Sequence, residues 1–429
     1  MDLDSLRESL LSFAPRLLEG QAGFLAHYAM AGVGFIVLAL GLRYTAPVLR
    51  TWGLIAGSFL LLAYSATPLV ALLFGLYLVV FYAAVEYLPR GHPRTALLVW
   101  LIALQTIAPV YWLPLLPGYL GAAGTFFAFA TNLTQLRFWG YAYDRSRRPE
   151  PERPRFADYT LFMLFFPSFV NGPILSHVDF EKAKLDWFWK EGERPSLREV
   201  LRSERSSLRR ALVGLALGLF TMTVIYSFRE PMYQTVLRGG VTSWPNAVYT
   251  YLWWYLAFSA WTEAAIGIGR LSGIHLPENF DRPHLAYGPA EFWRRWNITF
   301  MVWLRRYVYL PLGGAFLRGR DGERHLEWRN TAAVFAMVGV YHLLGSFKLL
   351  GPHFFSFNAI VPYTIQAGLS AIAVIATRHW KRPRRLGLAG WVIVIVTLLY
   401  TSVGHMTSMY PNKAPLSGLV TVYRGLVWP

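Results

Sequence analysis

The sequence predicts an all-α, polytopic transmembrane protein with about 10–12 membrane helices, some of them re-entrant or broken. Three observations predict it. The 429 residues are 55% hydrophobic and 16% aromatic, and only 15% are charged, against about a quarter in ordinary soluble domains. Apolar runs approaching the roughly 20 residues that a spanning helix needs recur along the chain. Between them lie clusters of Lys and Arg that give a formal net charge of +17, the pattern of cytoplasmic loops under the positive-inside rule.

The elements follow in chain order. Leu3, Leu6, Leu10, Phe13 and Leu17 repeat at helical spacing, and residues 1–20 lack the basic leader and long apolar stretch of a cleavable signal peptide. An amphipathic helix in the membrane interface is expected there, with a cap over the first loops as the alternative. Residues 21–429 read as a single transmembrane domain. Its apolar runs cover Gly23 to Leu42, Thr51 to Tyr64, Thr67 to Leu88, Thr95 to Leu113, Leu120 to Tyr141, Ala211 to Phe228, Asn246 to Ile268, Thr331 to Leu344, Ile360 to Ala376 and Leu388 to Val403. Basic clusters around Arg43 to Arg50, Arg90 to Arg94, Arg145 to Arg155, Lys182 to Arg210 and Arg378 to Arg385 are assigned to the cytoplasm.

Two stretches resist a simple span. The basic clusters at 145–155 and 182–210 flank a single apolar segment, "ADYTLFMLFFPSFVNGPIL", which contains Pro167, Gly172 and Pro173. A helix broken there enters and leaves on one side, since irregular backbone is tolerated at depth where protein or a cavity surrounds it. Residues 182–210, with nine basic and five acidic side chains, read as a solvated cytoplasmic helical insertion. The second stretch, "PAEFWRRWNITFMVWLRRYVYLPLGG", is apolar yet holds Arg294, Arg295, Arg305 and Arg306, so it must face protein or water. In it Trp293, Trp296, Phe300, Trp303 and Tyr307 recur at three- and four-residue steps, as one aromatic stripe. Helix packing accounts for the stripe, with the lining of a tunnel for an acyl or pantetheine chain as the alternative; the arginines suit a bidentate grip on phosphates, with snorkelling as the alternative for one pair.

Composition excludes several classes. The chain has no cysteine, hence no disulfide, thiolate metal site or cysteine acyl-enzyme. No Gly-x-Ser-x-Gly elbow occurs, no histidine precedes an aspartate by five positions, and "GIGRLSG" has the wrong spacing for a dinucleotide loop. No pair of histidines sits at ligand spacing on one helix, so no metal site is expected. Because the basic residues alternate with spanning runs, nucleic acid is not an expected partner. What remains is His342 inside "VGVYHLLGS", an ionisable ring in an apolar run, read either as a general base or as an interhelical hydrogen-bonding residue. His27 and His405 share that setting, so context must choose among them.

The context is a resemblance. "AIGIGRLSGIHLPENF", "EFWRRWNITFMVWLRRYVYLPLGG" and "VFAMVGVYHLLG", within a motif core at 257–345, with "LFFPSFVNGPIL" upstream, resemble the membrane-bound O-acyltransferase family, in particular its bacterial branch that acetylates alginate and other envelope polysaccharides. The resemblance implies helices around a central funnel, with His342 as catalytic base. Asn297 matches the position after the tryptophan where bacterial relatives commonly have histidine and many eukaryotic ones asparagine. Glu263 falls where polysaccharide-acetylating relatives show a carboxylate, and Asn279 of "PENF" matches directly. Two departures are the His→Asn change after Trp296 and the Tyr341, His342, Leu343 sequence where tryptophan-histidine-glycine is usual.

The implied reaction is acyl transfer from a cytoplasmic thioester to a hydroxyl. His342 takes the acceptor's proton and Asn297 orients the ring or donates to the oxyanion, while Trp293, Arg294, Arg295, Trp296, Trp303, Arg305, Arg306, Glu263, Asn279 and Tyr341 line the donor and substrate paths. Glu263 reads equally well as an interhelical ion pair. No tightly bound cofactor is expected; acyl-CoA (acetyl-CoA) or an acyl carrier protein serves as donor. The expected setting is the lipid bilayer of a bacterial inner membrane, with an extracytoplasmic hydrolase-like protein as partner. The rival from another class is a proton-coupled transporter of a small solute using His342 and Glu263.

Overall fold

A computed structural model of the chain describes residues 20–43, 45–65, 68–112, 118–147, 153–169, 172–184, 197–221, 244–314, 324–350 and 357–408. The expected interfacial helix at 1–20 therefore lies outside the described residues except for Gly20, as do the end of the run at Ala211 to Phe228 and part of the 182–210 insertion.

Every regular element among the described residues is helical. In order they are α1 Gly20–Leu42, α2 Pro47–Ser65, α3 Pro68–Glu86, α4 His92–Trp112, α5 Gly118–Arg147, α6 Phe156–Leu164, α7 His177–Lys182, α8 Leu197–Ser203, α9 Arg205–Phe220, α10 Trp244–Leu271, α11 Pro289–Arg295, α12 Ile298–Leu304, α13 Arg324–Leu350, α14 Phe357–Thr377 and α15 Leu388–Ser408. The described part of each apolar run falls on one of these helices, apart from Tyr87 and Leu88 past the end of α3 and Thr221 past the end of α9. Four of them, Pro47–Tyr64, Pro68–Glu86, Ile360–Thr377 and Leu388–His405, are long and apolar enough to cross a membrane. Leu60, Leu72, Ile372 and Val396 are each more than half exposed on these helices, as lipid-facing side chains are when only protein is counted. The fold is that of an all-α polytopic membrane protein.

The chain forms two compact units. Helix α10 contributes to both, with residues 258–271 in the first and 244–257 in the second.

In the first unit the core is aromatic. Phe35, Phe81, Phe138 and Phe165 are fully buried, and the Phe81 and Phe138 ring centroids lie 4.6 Å apart. The Pro167 segment is broken as expected. Helix α6 has only 9 residues, too short to span, and ends at Phe165 with φ −50° and ψ 103° before a single 3-10 turn at Phe166–Ser168. A helix end buried in this way leaves carbonyls without intrahelical partners. The buried Arg137 of α5 supplies them: its Nη1 donates to Phe162 O at 2.9 Å and Met163 O at 3.3 Å, and its Nη2 donates to Ser168 O and, at 2.8 Å, to Ser168 Oγ.

Three further charges are used structurally in this unit. Arg43 donates to Arg270 O at 2.9 Å and Leu271 O at 3.3 Å, closing the C-terminus of α10, and reaches Glu204 at 2.5 Å. Arg50, 1% exposed, donates to Leu42 O and Arg43 O. These two arginines belong to a cluster assigned to the cytoplasmic side; the structure buries both against helix-terminal carbonyls that need donors. Arg145 grips Glu86 with both ends of its guanidinium, at 2.8 and 2.7 Å, while Tyr141 OH donates to the same carboxylate at 2.8 Å. Helices α9 and α10 cross so closely that a Cβ on Gly214 would overlap the backbone of Ala260 and Ala264, and one on Gly267 the backbone of Ser207 and Ala211.

The second unit holds residues 244–257 of α10 together with α11 to α15 and the connection from Glu278. Here the structure corrects one expectation. The aromatic block is not one helix with one stripe. It breaks at Asn297, which is left-handed (φ 46°, ψ 52°), between α11 and α12. Beyond α12 the chain continues as a π-helical segment at Arg305–Gly314 that includes Pro311. The stripe accordingly divides among separate partners: Trp293 packs on Phe335, Trp296 on Tyr251, and Phe300 on Tyr341.

Candidate active site

The break at Asn297 is built by Asn279, which is 1% exposed. Its Oδ1 accepts from Thr299 N at 3.0 Å and from Thr299 Oγ1 at 2.7 Å, and its backbone carbonyl accepts from Ile298 N at 2.9 Å. These bonds satisfy donors at the start of α12, the work an N-cap residue normally does from within its own chain segment. With Oδ1 occupied by two donors, the Asn279 amide must face Asn297, and Nδ2 donates to Asn297 Oδ1 at 3.1 Å. The Asn297 Nδ2 then has no hydrogen-bond partner among the described residues and stands as a half-buried donor.

His342 projects from the middle of α13. Its Nδ1 lies 2.8 Å from the Val338 carbonyl, an acceptor only, so Nδ1 carries a proton, and in the neutral ring the lone pair is on Nε2. The ring stacks on Tyr363 of α14 at 6.1 Å and meets Tyr341 edge-on at 5.5 Å. Counting protein alone, His342 is exposed. No hydrogen bond joins His342 to Asn297 among the described residues. A chain of ring contacts connects their surroundings, from Tyr341 to Phe300 on α12 at 4.9 Å.

His405 of α15 repeats the arrangement, with Nδ1 2.8 Å from Thr401 O. Its ring packs edge-on against Trp296 at 4.7 Å and Tyr251 at 5.3 Å. It also lines a cavity of ≈ 60 Å³ with Trp293, Ser370, Tyr400 and Thr401. Trp293 Nε1 is buried without a partner among the described residues. Neither His342 nor Asn297 lines this cavity. His284, which sequence reasoning passed over, packs on Tyr255 at 5.3 Å; burial first and the Arg282 charge second push its imidazole below the usual range.

The four arginines of the block separate by role. Arg295 is committed to structure: it pairs with Glu291 at 2.6 Å, and its Nη1 donates to Asp281 O at 3.2 Å. Arg294 and Arg305 are exposed, and Arg306 lies over Tyr307 at 5.5 Å. Trp303, buried, packs on Tyr307 at 5.0 Å. Glu263 belongs to the first unit, where Arg210 holds it through Nε–Oε2 and Nη2–Oε1 contacts, the latter 2.8 Å.

The described residues make an all-α membrane protein, one unit of which holds His342, with Nδ1 on a carbonyl of its own helix, and the Asn297 carboxamide held by a second asparagine. The chain belongs to the MBOAT, membrane-bound O-acyltransferase family, whose model matches residues 94–408. Among its relatives, a peptidoglycan O-acetyltransferase of Helicobacter pylori is 30% identical over 202 residues, 44% of this chain and 34% of that protein. A probable alginate O-acetylase AlgI of Azotobacter vinelandii is 26% identical over 295 residues, 65% of this chain and 54% of that one. A teichoic acid D-alanyltransferase of Streptococcus thermophilus is 24% identical over 192 residues, 43% of this chain and 45% of that one. The matched stretch thus spans about half or less of each of these relatives.

The site separates two functions of Asn297 that one substitution would confuse. Asn297→Gly keeps a residue at ease with positive φ and removes only the amide. Asn297→Ala removes the amide and adds left-handed strain of about 1–2 kcal/mol. We expect both to lower the melting temperature in detergent, since the buried Asn279 Nδ2 loses its acceptor in each, and the alanine variant to lower it further. Equal melting of the two variants would refute the strained-junction account.

Proposed function

We propose that the chain is a membrane-embedded O-acyltransferase that moves an acyl group, acetyl in our reading, from a cytoplasmic thioester to a hydroxyl of an extracytoplasmic polysaccharide or other envelope glycan or lipid. The observation that carries the proposal is the state of His342: Nδ1–H is committed to Val338 O, which leaves Nε2 basic. Nε2 removes the hydroxyl proton as the oxygen attacks the thioester carbonyl. The C–S bond then breaks, and the departing thiolate takes the proton from the imidazolium. Asn297 Nδ2 donates to the oxyanion formed between these steps. No covalent enzyme intermediate and no bound cofactor are needed.

Exposed Arg294 and Arg305 are the side chains we assign to the donor's phosphates, whether of acyl-CoA or of an acyl carrier protein; Arg295 is left out because its ion pair with Glu291 occupies it. The polysaccharide acceptor rests on the names of the relatives, which are acetylases of peptidoglycan and alginate and an alanylating enzyme of teichoic acid. An extracytoplasmic hydrolase-like partner and a bacterial inner membrane complete the proposal. The carrier alternative is not supported: the relatives are named as transferases, and the Glu263 it requires is tied to Arg210.

The test is reconstitution. Proteoliposomes containing the chain, supplied with radiolabelled acetyl-CoA outside and a glycan acceptor inside, are expected to yield alkali-labile label on the glycan. Solute uptake that proceeds without any acyl donor, with no label transferred, would overturn the proposal in favour of a carrier.

A further inference from the structure

The first unit carries a second feature that the acyl-transfer reading does not use. A groove of ≈ 350 Å³ runs between α9 and α10. At the N-terminal end of α9 it is polar, lined by Ser206, Arg209 and Arg210 with Glu263 of α10. One and two turns further along α9 its lining becomes apolar, at Val213 and Leu217. The outward surface of α9 changes in the same order: Arg205 and Arg209 are exposed, then Leu212, Val213 and Phe220.

The charges in the groove do not balance. Arg210 is neutralised by Glu263. Arg209 is exposed and makes no hydrogen bond or ion pair among the described residues, which leaves one positive charge at the polar end. A single guanidinium above an apolar floor on the flank of a membrane protein complements a phosphodiester joined to acyl chains. A soluble anion matches only the polar end and leaves Val213 and Leu217 unexplained.

We propose that this groove is a binding site for an anionic phospholipid, with the headgroup phosphate on Arg209 and Ser206 and an acyl chain along Val213 and Leu217. The exposed apolar half of α9 faces lipid in any case; the site adds a defined occupant to the seam between the helices. The proposal is independent of the acyl-transfer reading.

Native mass spectrometry of the full chain in detergent, titrated with phosphatidylglycerol, phosphatidylcholine or inorganic phosphate, tests it. Phosphatidylglycerol is expected to bind more tightly than phosphatidylcholine, and Arg209→Gln to weaken its binding about fivefold. Arg384→Gln, which removes an exposed arginine elsewhere, is expected to leave binding unchanged. Leu217→Asn should weaken the lipid as well. Because Arg209 has no partner to lose among the described residues, its variant should melt like the wild type. Wild-type affinity in Arg209→Gln, an equal loss in Arg384→Gln, or equal binding of the zwitterionic lipid would each overturn the assignment. Displacement of the lipid by inorganic phosphate at equal concentration, or no effect of Leu217→Asn, would reduce the groove to an anion site and overturn the lipid.

Discussion

His342→Ala is expected to lower acyl transfer by about 10²–10⁴-fold while the protein inserts and melts normally. The two halves of this expectation have separate causes. The rate falls because the variant has no other group at that place to accept the hydroxyl proton: the neighbours Tyr341 and Tyr363 are phenols, which are protonated and not basic near neutral pH. Stability is kept because, among the described residues, the ring bonds only to a carbonyl of its own helix and is exposed when protein alone is counted, so its removal opens no packed core. Label transfer from acetyl-CoA to a glycan, measured in proteoliposomes, reads the first, and thermal unfolding in detergent reads the second. His405→Ala is the necessary comparison, since His405 also directs its Nδ1 at a carbonyl of its own helix. Transfer within tenfold of wild type in His342→Ala, with the loss appearing in His405→Ala, would move the base to α15.

How much of this was legible in the sequence depended on whether the cause of a feature lay close to it in the chain. Spans were legible because apolar composition is a local property, and nearly all of the described part of each run lies on a helix. The break at Pro167 was legible because proline acts on its own backbone. The break at Asn297 was not. Aromatic spacing across 293–307 argues for one continuous helix, and the residue that ends it, Asn279, acts from 18 positions away. The signal available was the asparagine itself, one of the few side chains that tolerate a left-handed backbone. The burial of two arginines was not legible either. Arg43 and Arg50 carry the sign of a cytoplasmic loop, and the positive-inside rule weighs only that sign. Their burial follows from carbonyls at the ends of α1 and α10, which no local pattern announces. For Glu263 the sequence left two readings open, a substrate contact and an ion pair; the partner, Arg210, lies 53 residues away on another helix.

Arg137→Met is expected to be the most destabilising single substitution in the first unit. Arg137 is 4% exposed, and its hydrogen bonds go to Phe162 O, Met163 O, Ser168 O and Ser168 Oγ, the acceptors freed where α6 ends and the proline turn begins. Methionine replaces the volume and none of the donors. Several buried acceptors then lose their partner together, each at about 1–3 kcal/mol, so a loss of at least ~3 kcal/mol is expected even after partial relaxation. Arg137→Lys should recover only part of it, because one ammonium cannot reach groups that a planar fork bridges from two nitrogens. The opposite argument is that removing a buried charge relieves its desolvation, as happens when a buried ion pair is replaced whole by apolar residues. That relief requires both partners to go, and here the carbonyls stay. Thermal unfolding of the two variants in detergent decides between these effects: a methionine variant as stable as the wild type would mean that relief of the charge outweighs the orphaned carbonyls, and that the broken segment holds its shape without Arg137.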